Sequence, residues 1–165
     1  MPQLSPLPAT SSPFRMRLRN FFTPGAIDLD LQATDRDAAL GEMVRLLGMD
    51  ARAADTQLRV LQRRERLGST GVGRGIAIPH CRSLVASRLR VAYGHSRKGL
   101  EFHAIDGRPV HHVFLIVAPP LEISNQYLPV LGRIAQFAKE PEVPGRLAGL
   151  TRSEDFFRLL EEKGV

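Results

Sequence analysis

Several residue types are scarce in this chain of 165 residues, and each scarcity excludes a class of protein. There is one cysteine, Cys81, so an intrachain disulfide framework is impossible and we expect a reducing, cytoplasmic location. No apolar run approaches the ~20 residues that a membrane-spanning helix needs, so we expect no membrane insertion. The first residues also lack the apolar core of a secretory signal.

Aromatic residues and lysine are scarce as well. Aromatics make up 6% of the chain and tryptophan is absent, which leaves few rings for stacking on nucleic-acid bases. The formal net charge is +6, but the 20 arginines and 3 lysines are scattered along the sequence. Nucleic-acid binding usually needs a basic stripe or patch. We therefore predict no nucleic-acid partner.

The chain divides into a short extension and one domain. Residues 1–13 are rich in proline and serine and show no apolar periodicity, which is typical of disorder. We predict a disordered N-terminal extension over residues 1–15 and a single domain over residues 16–165. The hydrophobic fraction of 43% is enough for a sizeable core.

Apolar periodicity predicts strands and helices that alternate. Residues 27–31, 89–95 and 110–118 show strand patterns, and residues 106–109 form a turn signal between the last two. Helix starts are predicted at Thr34 with Asp37, at Asp55, at Ser124 and at Ser153, and Gly68 is predicted to end the second helix. The third helix is expected to turn these residues inward: Leu128, Leu131, Ile134, Ala135 and Ala138. The pattern predicts a layered α/β fold with a central mixed β-sheet flanked by helices.

The most informative segment runs from Arg64 to His80 and reads RERLGSTGVGRGIAIPH. Glycine lets a backbone approach a ligand closely, and its N–H groups can cradle an anion. A histidine fixed behind a proline has a ring nitrogen available as a nucleophile. The run therefore predicts phosphate chemistry with His80 as the acceptor. It lacks the Gly-Lys-Ser/Thr ending of a nucleotide-binding loop, so we predict no ATP binding.

This run also resembles the phospho-acceptor signature of the enzyme IIA domains of the phosphoenolpyruvate-dependent phosphotransferase system. The likeness is to the fructose/mannitol class, and within it to the nitrogen-regulatory branch, and it covers about residues 16 to 163. The resemblance implies that His80 accepts a phosphoryl group on Nε2 from a phosphohistidine on a small HPr-like carrier protein. It implies no cofactor.

The resemblance carries further site residues, each with a structural alternative. Arg64 would neutralise the phosphoryl oxygens, or it would only complement the helix dipole. Glu65 would hold Arg64 or a loop N–H in place, or it would lie on the surface. The phosphoryl oxygens would accept hydrogen bonds from the Ser69 and Thr70 hydroxyls and from backbone N–H groups of the loop, including those of Gly71 and Gly73; the alternative is ordinary turn chemistry.

Tyr127 stands where the family often has a second histidine. A phenol can donate one hydrogen bond to the phosphoryl group or to His80, but it cannot act as a second proton carrier near neutral pH. This change, and the lack of a transporter-like IIB or IIC segment in these residues, favour regulatory output through partner proteins such as transporters or kinases. A sugar-specific enzyme IIA that relays phosphate to a transporter IIB domain remains an alternative, as does a non-catalytic partner-binding module.

The other histidines, His95, His103, His111 and His112, could suggest a metal site. However, adjacent strand residues are expected to point to opposite faces, and no Cys, Asp or Glu cluster has metal-ligand spacing. We therefore predict that no metal is bound. The carrier is expected to dock on apolar residues near His80, with Val72, Ile76 and the Tyr127 region as candidates.

Overall fold

The computed structural model describes residues 16–121 and 125–165. The extension predicted over residues 1–15 and the helix cap predicted at Ser124 lie outside the described residues.

The elements alternate much as the periodicity predicts. Two short 3-10 turns come first, and they are followed by six strands and five helices among the described residues. In chain order the elements after the turns are β1 (Ile27–Asp28), α1 (Arg36–Leu46), α2 (Ala51–Leu67), β2 (Gly71–Gly73), β3 (Ile76–Ala77), β4 (His80–Arg82), β5 (Arg90–Leu100), β6 (Val110–Ala118), α3 (Tyr127–Lys139), α4 (Val143–Ala148) and α5 (Ser153–Glu162).

The six strands form one mixed sheet in the order β1-β5-β6-β3-β2, and β4 follows β3 along the same edge of β6. Strand β5 is antiparallel to β6, whereas β3 and β4 are both parallel to β6. Strand β1 runs parallel to β5, and β2 is antiparallel to β3. The prediction of a layered α/β fold with a central mixed sheet is confirmed.

Alternate residues of β6 enter two different cores, because successive strand side chains point to opposite faces. Phe114 and Ile116 pack with buried residues of α3, α4 and α5. Leu115 and Val117 pack with buried residues of α1 and α2. The sheet therefore lies between a two-helix layer and a three-helix layer, and neighbouring residues of one strand serve different layers.

The first strand and helix differ slightly from their predicted bounds. Only Ile27–Asp28 is a strand, although the N–H of Leu31 still donates to the carbonyl of His95 at 2.8 Å. Helix α1 begins one residue later than Thr34 would place it. The cap is Asp35, whose side chain accepts a hydrogen bond from the N–H of Ala38 at 2.8 Å.

Helix α2 begins earlier than predicted. Its cap is Asp50, which accepts from the N–H of Ala53 at 2.9 Å. Asp55 lies inside the helix and forms an ion pair with Arg59 at 2.9 Å, so its assignment as a cap is wrong. The end of the helix at Gly68 is confirmed, which places Arg64 in the last turn.

In α3, the inward-facing set is partly different from the prediction. Leu128 is 69% exposed, so its assignment to the core is wrong. The first turn of the helix lies at the surface, and burial begins at Val130 and continues through Ile134 and Phe137. Strand β6 and the start of α5 at Ser153 agree with the prediction.

Candidate functional site

His80 is the first residue of β4 and faces the three-helix layer. Its backbone pairs with Ile116 of β6, and the carbonyl of Pro79 accepts the Ile116 N–H at 2.9 Å. Paired residues of neighbouring strands point to the same face of a sheet, and Ile116 belongs to the core beneath α3. The histidine is therefore carried on a hydrogen-bonded strand edge, half-buried at the end of the sheet.

A hydrogen bond fixes which ring nitrogen of His80 can react. Nδ1 lies 2.6 Å from the carbonyl oxygen of Ile78. A carbonyl oxygen can only accept, so Nδ1 carries the hydrogen. In the neutral imidazole the other nitrogen, Nε2, then holds the lone pair. The ring is oriented by its own strand, with Nε2 as the nucleophilic atom.

Tyr127, the first residue of α3, packs beside His80. The two ring centroids are 5.9 Å apart and the ring planes are tilted by 49°. Burial raises the pKa of the Tyr127 phenol to about 12; Cys81 adds to the increase, and the positive charges of Arg82 and Arg64 oppose it. The phenol therefore stays protonated at neutral pH, and its O–H can donate to a group held at His80.

Arg82 is a site residue that the sequence reasoning missed. It lies two positions after His80 on β4, so both side chains point to the same face. Its guanidinium carbon sits 4.7 Å from the centroid of the Tyr127 ring, and one nitrogen donates to the Pro119 carbonyl at 2.8 Å. The signal was available, because the second residue after a strand-borne nucleophile shares its face.

Arg64 approaches the same group from the two-helix layer. It is half-buried in the last turn of α2, and one guanidinium nitrogen donates to the carbonyl of Gly68 at 2.8 Å. Its charge also acts on the Tyr127 phenol, which shows that the two side chains are electrostatic neighbours. Arg64 therefore closes the helix end, and its charge acts on the Tyr127 phenol; its role towards a phosphoryl group stays a prediction.

Glu65 is buried, with 2% of its surface exposed, and it organises the glycine loop. Its two carboxylate oxygens accept the backbone N–H of Thr70 at 3.2 and 3.3 Å, and one of them, Oε1, also accepts the Thr70 hydroxyl. The carbonyl of Thr70 in turn accepts the N–H of Ile78 at 3.0 Å. Because Ile78 supplies the carbonyl that orients His80, a continuous chain of contacts joins Glu65 to the imidazole.

Ser69 is also engaged within the protein. Its hydroxyl donates to the carbonyl of Phe102 and accepts the N–H of Gly71 at 2.9 Å. A Cβ at Gly71 would lie 2.7 Å from the Cβ of Ala104, so glycine is required there by packing. In this structure the Ser69 and Thr70 hydroxyls and the Gly71 N–H all serve to seat the loop.

Gly73 lies away from His80. It pairs with Ile76, and Ile76 pairs with His112, four residues before the β6 partner of His80, Ile116. At ~3.3 Å per residue, the separation along β6 is about 13 Å. Gly73 has a positive φ of 93° at the hairpin tip, where glycine is favoured. The structure therefore places Gly73 in a tight β2–β3 hairpin and does not bring it to the imidazole.

The predicted docking residues divide into exposed and buried ones. Val72 is 39% exposed, but Ile76 is fully buried, so its assignment to an exposed face is wrong. The exposed apolar side chains next to the site residues are Leu67, 82% exposed and three residues after Arg64, and Leu128, which follows Tyr127.

The sequence and the fold of this chain both have counterparts among known proteins. The profile of the family "Phosphoenolpyruvate-dependent sugar phosphotransferase system, EIIA 2" matches residues 20–163. The chain belongs to this EIIA family. The resemblance carried by the Arg64–His80 run is confirmed, and with it the alternating α/β architecture.

Several relatives of the EIIA domain carry the name "Nitrogen regulatory protein". The chain is 30% identical over 147 residues to the one from Pseudomonas aeruginosa, and 29% identical over 149 residues to the one from Bradyrhizobium diazoefficiens. Each alignment covers 88% of this chain and 95% of the relative. The chain is also 30% identical over 134 residues to the fructose-specific EIIABC component of Bacillus subtilis, but it spans only 21% of that protein.

Solved EIIA structures have the same fold. Nitrogen regulatory protein IIA-Ntr from Neisseria meningitidis superposes with a TM-score of 0.77 at 26% identity, over 86% of this chain and 97% of that one. The mannitol IIA of Escherichia coli superposes with a TM-score of 0.66 at 22% identity, over 84% and 97%. At that lower identity the likeness shows the fold alone.

The remaining histidines of this EIIA domain correct one expectation. His111 and His112 were expected to point to opposite faces, but both line one cleft. Their N–H groups both donate to the carbonyl of Gly75, at 2.8 and 2.9 Å, so the strand bulges there and its alternation is lost. Within residues 16–121 and 125–165, no group of three or more His, Cys, Asp or Glu side chains could hold a metal ion. No helix in that part of the chain is long and apolar enough to cross a bilayer.

Proposed function

We propose that His80 accepts a phosphoryl group on Nε2 from a phosphohistidine on a small HPr-like carrier protein, and that the modified domain acts as a nitrogen-regulatory enzyme IIA. The donor N–P bond breaks, and its electron pair returns to the donor nitrogen. The lone pair on Nε2 of His80 forms the new N–P bond. No cofactor or metal takes part in this transfer.

The observation that carries the proposal is the hydrogen bond from Nδ1 of His80 to the Ile78 carbonyl. It leaves Nε2 with the lone pair before the donor arrives, so no general base is needed. The hydrogen bond also stabilises the positive charge that the ring gains when Nε2 bonds phosphorus, because the Nδ1–H of a cationic imidazole is a stronger donor than that of a neutral one.

The proposed roles of the neighbours follow from their charge and position. Phosphoryl transfer has a loose transition state with charge spread over three oxygens, so catalysis is mainly positioning and charge stabilisation. Arg64 and Arg82 both supply positive charge that acts on Tyr127, and the phenol offers one neutral donor. Glu65, Ser69, Thr70 and Gly71 act as positioning residues, because their polar groups are engaged in the loop.

A carrier that docks here would meet a basic rim around apolar contacts. Leu67 and Leu128 are exposed apolar side chains on either side of the site, and Arg63, Arg64 and Arg66 surround the end of α2. Charge complementarity steers association and suppresses wrong partners. We therefore propose that the docking face of the carrier carries carboxylates opposite these arginines.

Regulatory output is proposed from two observations. The chain covers 95% of the nitrogen regulatory proteins to which it is similar, and Tyr127 occupies the position where a second histidine would assist onward transfer. Cytoplasmic partners such as transporters or kinases would read the phosphorylation state. The similarity to a fructose-specific EIIABC component supports a second candidate, an enzyme IIA that relays phosphate to a transporter IIB domain.

The decisive experiment is a phosphoryl transfer followed by intact mass. The protein is mixed with phosphoenolpyruvate, enzyme I and a cognate HPr-type carrier, beside the variants His80→Ala and His103→Asn. His103 is a matched control, because it is a histidine 73% exposed in its side chain and lies in the loop between β5 and β6. We expect one acid-labile phosphoryl group on the wild type and on His103→Asn, and none on His80→Ala.

A second arm separates the two output candidates. Purified phosphoprotein is mixed with a IIB domain of the fructose class, and the phosphoryl group is followed by mass. Retention of the group supports regulatory output, whereas rapid loss to the IIB domain supports the relay. If the competent cognate carrier transfers nothing to the wild type, the catalytic proposal is overturned in favour of a non-catalytic partner-binding module.

A further inference from the structure

A cleft at the other end of the sheet is lined by histidine and arginine side chains. Its walls come from the β2–β3 hairpin, from β5, from the start of β6 and from α4. The basic residues that line it are Arg74, His95, Arg97, His111 and His112. His112 is four residues from Ile116, the β6 partner of His80, which separates the cleft from the acceptor by about 13 Å along the strand.

In each of the two adjacent histidines, His111 and His112, one ring nitrogen already has a hydrogen-bond partner. Nδ1 of His111 lies 2.8 Å from the carbonyl of Ser96 and therefore carries a hydrogen. Nδ1 of His112 lies 2.8 Å from the hydroxyl of buried Tyr93, whose O–H needs an acceptor. In both rings, Nε2 has no hydrogen-bond partner among the described residues. These two nitrogens are the groups left for a ligand.

The two arginines bring positive charge to the same cleft. One guanidinium nitrogen of Arg74 donates to the carbonyl of Lys139 at 3.0 Å, which holds this side chain across the hairpin tip and leaves its other donors uncommitted. Arg97 lies close enough to His95 to disfavour its protonation. Within the described residues, no carboxylate is among the side chains that line the cleft.

The nearest acidic groups do not balance these charges. Asp106 accepts the backbone N–H groups of Arg74 and Arg108, at 3.0 and 3.1 Å, so its carboxylate is committed to the loop. Asp30 favours the charged form of His95, but burial outweighs it and lowers the pKa of His95. Burial, together with repulsion from His95 and His111, lowers the pKa of His112 to about 4. The cleft thus holds two arginine cations beside His95 and His112, whose protonated forms are disfavoured chiefly by burial.

We propose that this cleft is a binding site for a small anion of the phosphate class, distinct from the phosphoryl acceptor at His80. Arg74 and Arg97 supply charge, and the Nε2–H of His112 can donate a hydrogen bond to the anion. Nε2 of His111 can donate only when that ring is protonated, because its Nδ1 already carries the hydrogen of the neutral form. Pro144 and Ala148 of α4 form an apolar wall. That wall suits the organic part of a phosphate monoester, and free phosphate would use only the polar side.

Binding is coupled to proton uptake. An anion beside the rings favours the protonated forms of His95 and His112, which burial and the neighbouring positive groups otherwise disfavour. The groups that face the three histidines are Arg74 from the hairpin, Arg97 and Tyr93 from β5 and Asp30 after β1; α4 contributes no charge to the cleft. The affinity for an anion of fixed charge therefore rises as the pH falls through the histidine range.

The test uses sulfate as a probe, because its charge is constant from about pH 5 to pH 8, and it uses inorganic phosphate and a phosphate monoester as ligands. Backbone and histidine-ring NMR signals of the whole chain are followed at constant ionic strength against chloride. We expect saturable shifts at Gly75, Arg97 and His111, with sulfate binding at least tenfold tighter at about pH 5.5 than at pH 8. If the monoester binds more tightly than free phosphate, we infer that the apolar wall contacts the organic part of the ligand.

Variants separate this site from the acceptor. Arg97→Ala and His111→Gln should each weaken sulfate binding about tenfold or more, the size expected for a lost charged hydrogen bond. His80→Ala should leave it unchanged, and Arg97→Ala should still accept a phosphoryl group from the carrier. The proposal is overturned if chloride gives the same shifts, if the shifts do not saturate, or if they centre on His80 and vanish in His80→Ala. Loss of phosphoryl acceptance alone would count against the proposed function and leave this site intact.

Discussion

A histidine lies near each end of β6: His80 on the neighbouring strand β4, and His111 on β6 itself. In both histidines Nδ1 is hydrogen-bonded to a backbone carbonyl, but the surroundings of the two rings differ. His80 is held by Ile78 at 2.6 Å and packs beside Tyr127, on whose phenol the charges of two arginines act. His111 is held by Ser96 at 2.8 Å and shares its cleft with two more histidines. Both imidazoles are therefore oriented in the same way, whereas the groups around the other ring nitrogen decide what that nitrogen can do.

The largest effect is expected from deleting each histidine in turn. His80→Ala should abolish acceptance of a phosphoryl group, because no other described nitrogen combines a free lone pair with the Arg64–Tyr127–Arg82 surroundings. His111→Ala should accept at near the wild-type rate. Initial rates of transfer from a phosphorylated carrier measure the difference. Comparable loss in both variants would show that the two ends of β6 are not independent.

The next largest effect concerns the chain of contacts behind His80. Glu65→Ala removes the acceptor for the Thr70 N–H and hydroxyl in a buried setting, and we expect a loss of about 2–4 kcal/mol in the free energy of unfolding. Glu65→Gln keeps one acceptor oxygen and should cost less, about 1–2 kcal/mol. Urea unfolding of the two variants checks this order. Equal losses would mean that charge, and not hydrogen bonding, holds the loop.

The free energy of unfolding should depend on pH through His112, near the other end of β6. The pKa of His112 is lowered from 6.5 to about 4, so between these values the unfolded chain binds more protons than the native one. The free energy of unfolding should therefore fall as the pH drops from 6.5 towards 4, by up to about 3 kcal/mol. His112→Gln should flatten this slope and leave the stability at pH 8 less affected. An unchanged slope would assign the acid sensitivity to other groups, such as His95.

The smallest effect is expected from Tyr127→Phe. The variant keeps a ring against His80 and beneath the Arg82 guanidinium, and it loses only the hydroxyl. Transfer to His80 should slow by about tenfold or less, the size of one lost neutral hydrogen bond. Tyr127→His provides the informative partner, since it restores a second imidazole. Onward transfer to a IIB domain should speed up in that variant, and a rate equal to wild type would remove Tyr127 from the argument for regulatory output.

Much of the architecture could be predicted from local patterns. The run at 110–118 is apolar except for His111 and His112 and forms β6 within those bounds, and α2 ends at Gly68 as predicted. The helix starts were harder to predict, because aspartates and threonines are frequent in the connecting segments and any of them can cap a helix N-terminus. Asp50 took that role and left Asp55 free to pair with Arg59 one turn later.

The sequence predicts a candidate site centred on His80, but not the contacts around it. The signature predicts His80 as the acceptor, and the end of α2 at Gly68 places Arg64 in the last turn of that helix. The capture of the Ser69 and Thr70 hydroxyls by Phe102 and Glu65 depends on packing between segments far apart in the sequence. The shared cleft of His111 and His112 depends on a bulge, which only the register against Gly75 reveals. Alternation rules fail at such irregularities because one inserted residue changes the face of its neighbour.

The position of Cys81 gives the molecule a reporter of its own motion. Cys81 lies between His80, the proposed acceptor, and Arg82 in the sequence, but its thiol faces the two-helix layer, where the side-chain amide of Gln57 contacts the sulfur at 2.7 Å. Burial raises the pKa of the thiol to about 12, so a thiol-directed reagent can label it only after β4 has separated from its neighbours. The labelling rate of this single sulfur would therefore time how often the edge that carries the acceptor opens, and how far a docked carrier or an attached phosphoryl group keeps it closed.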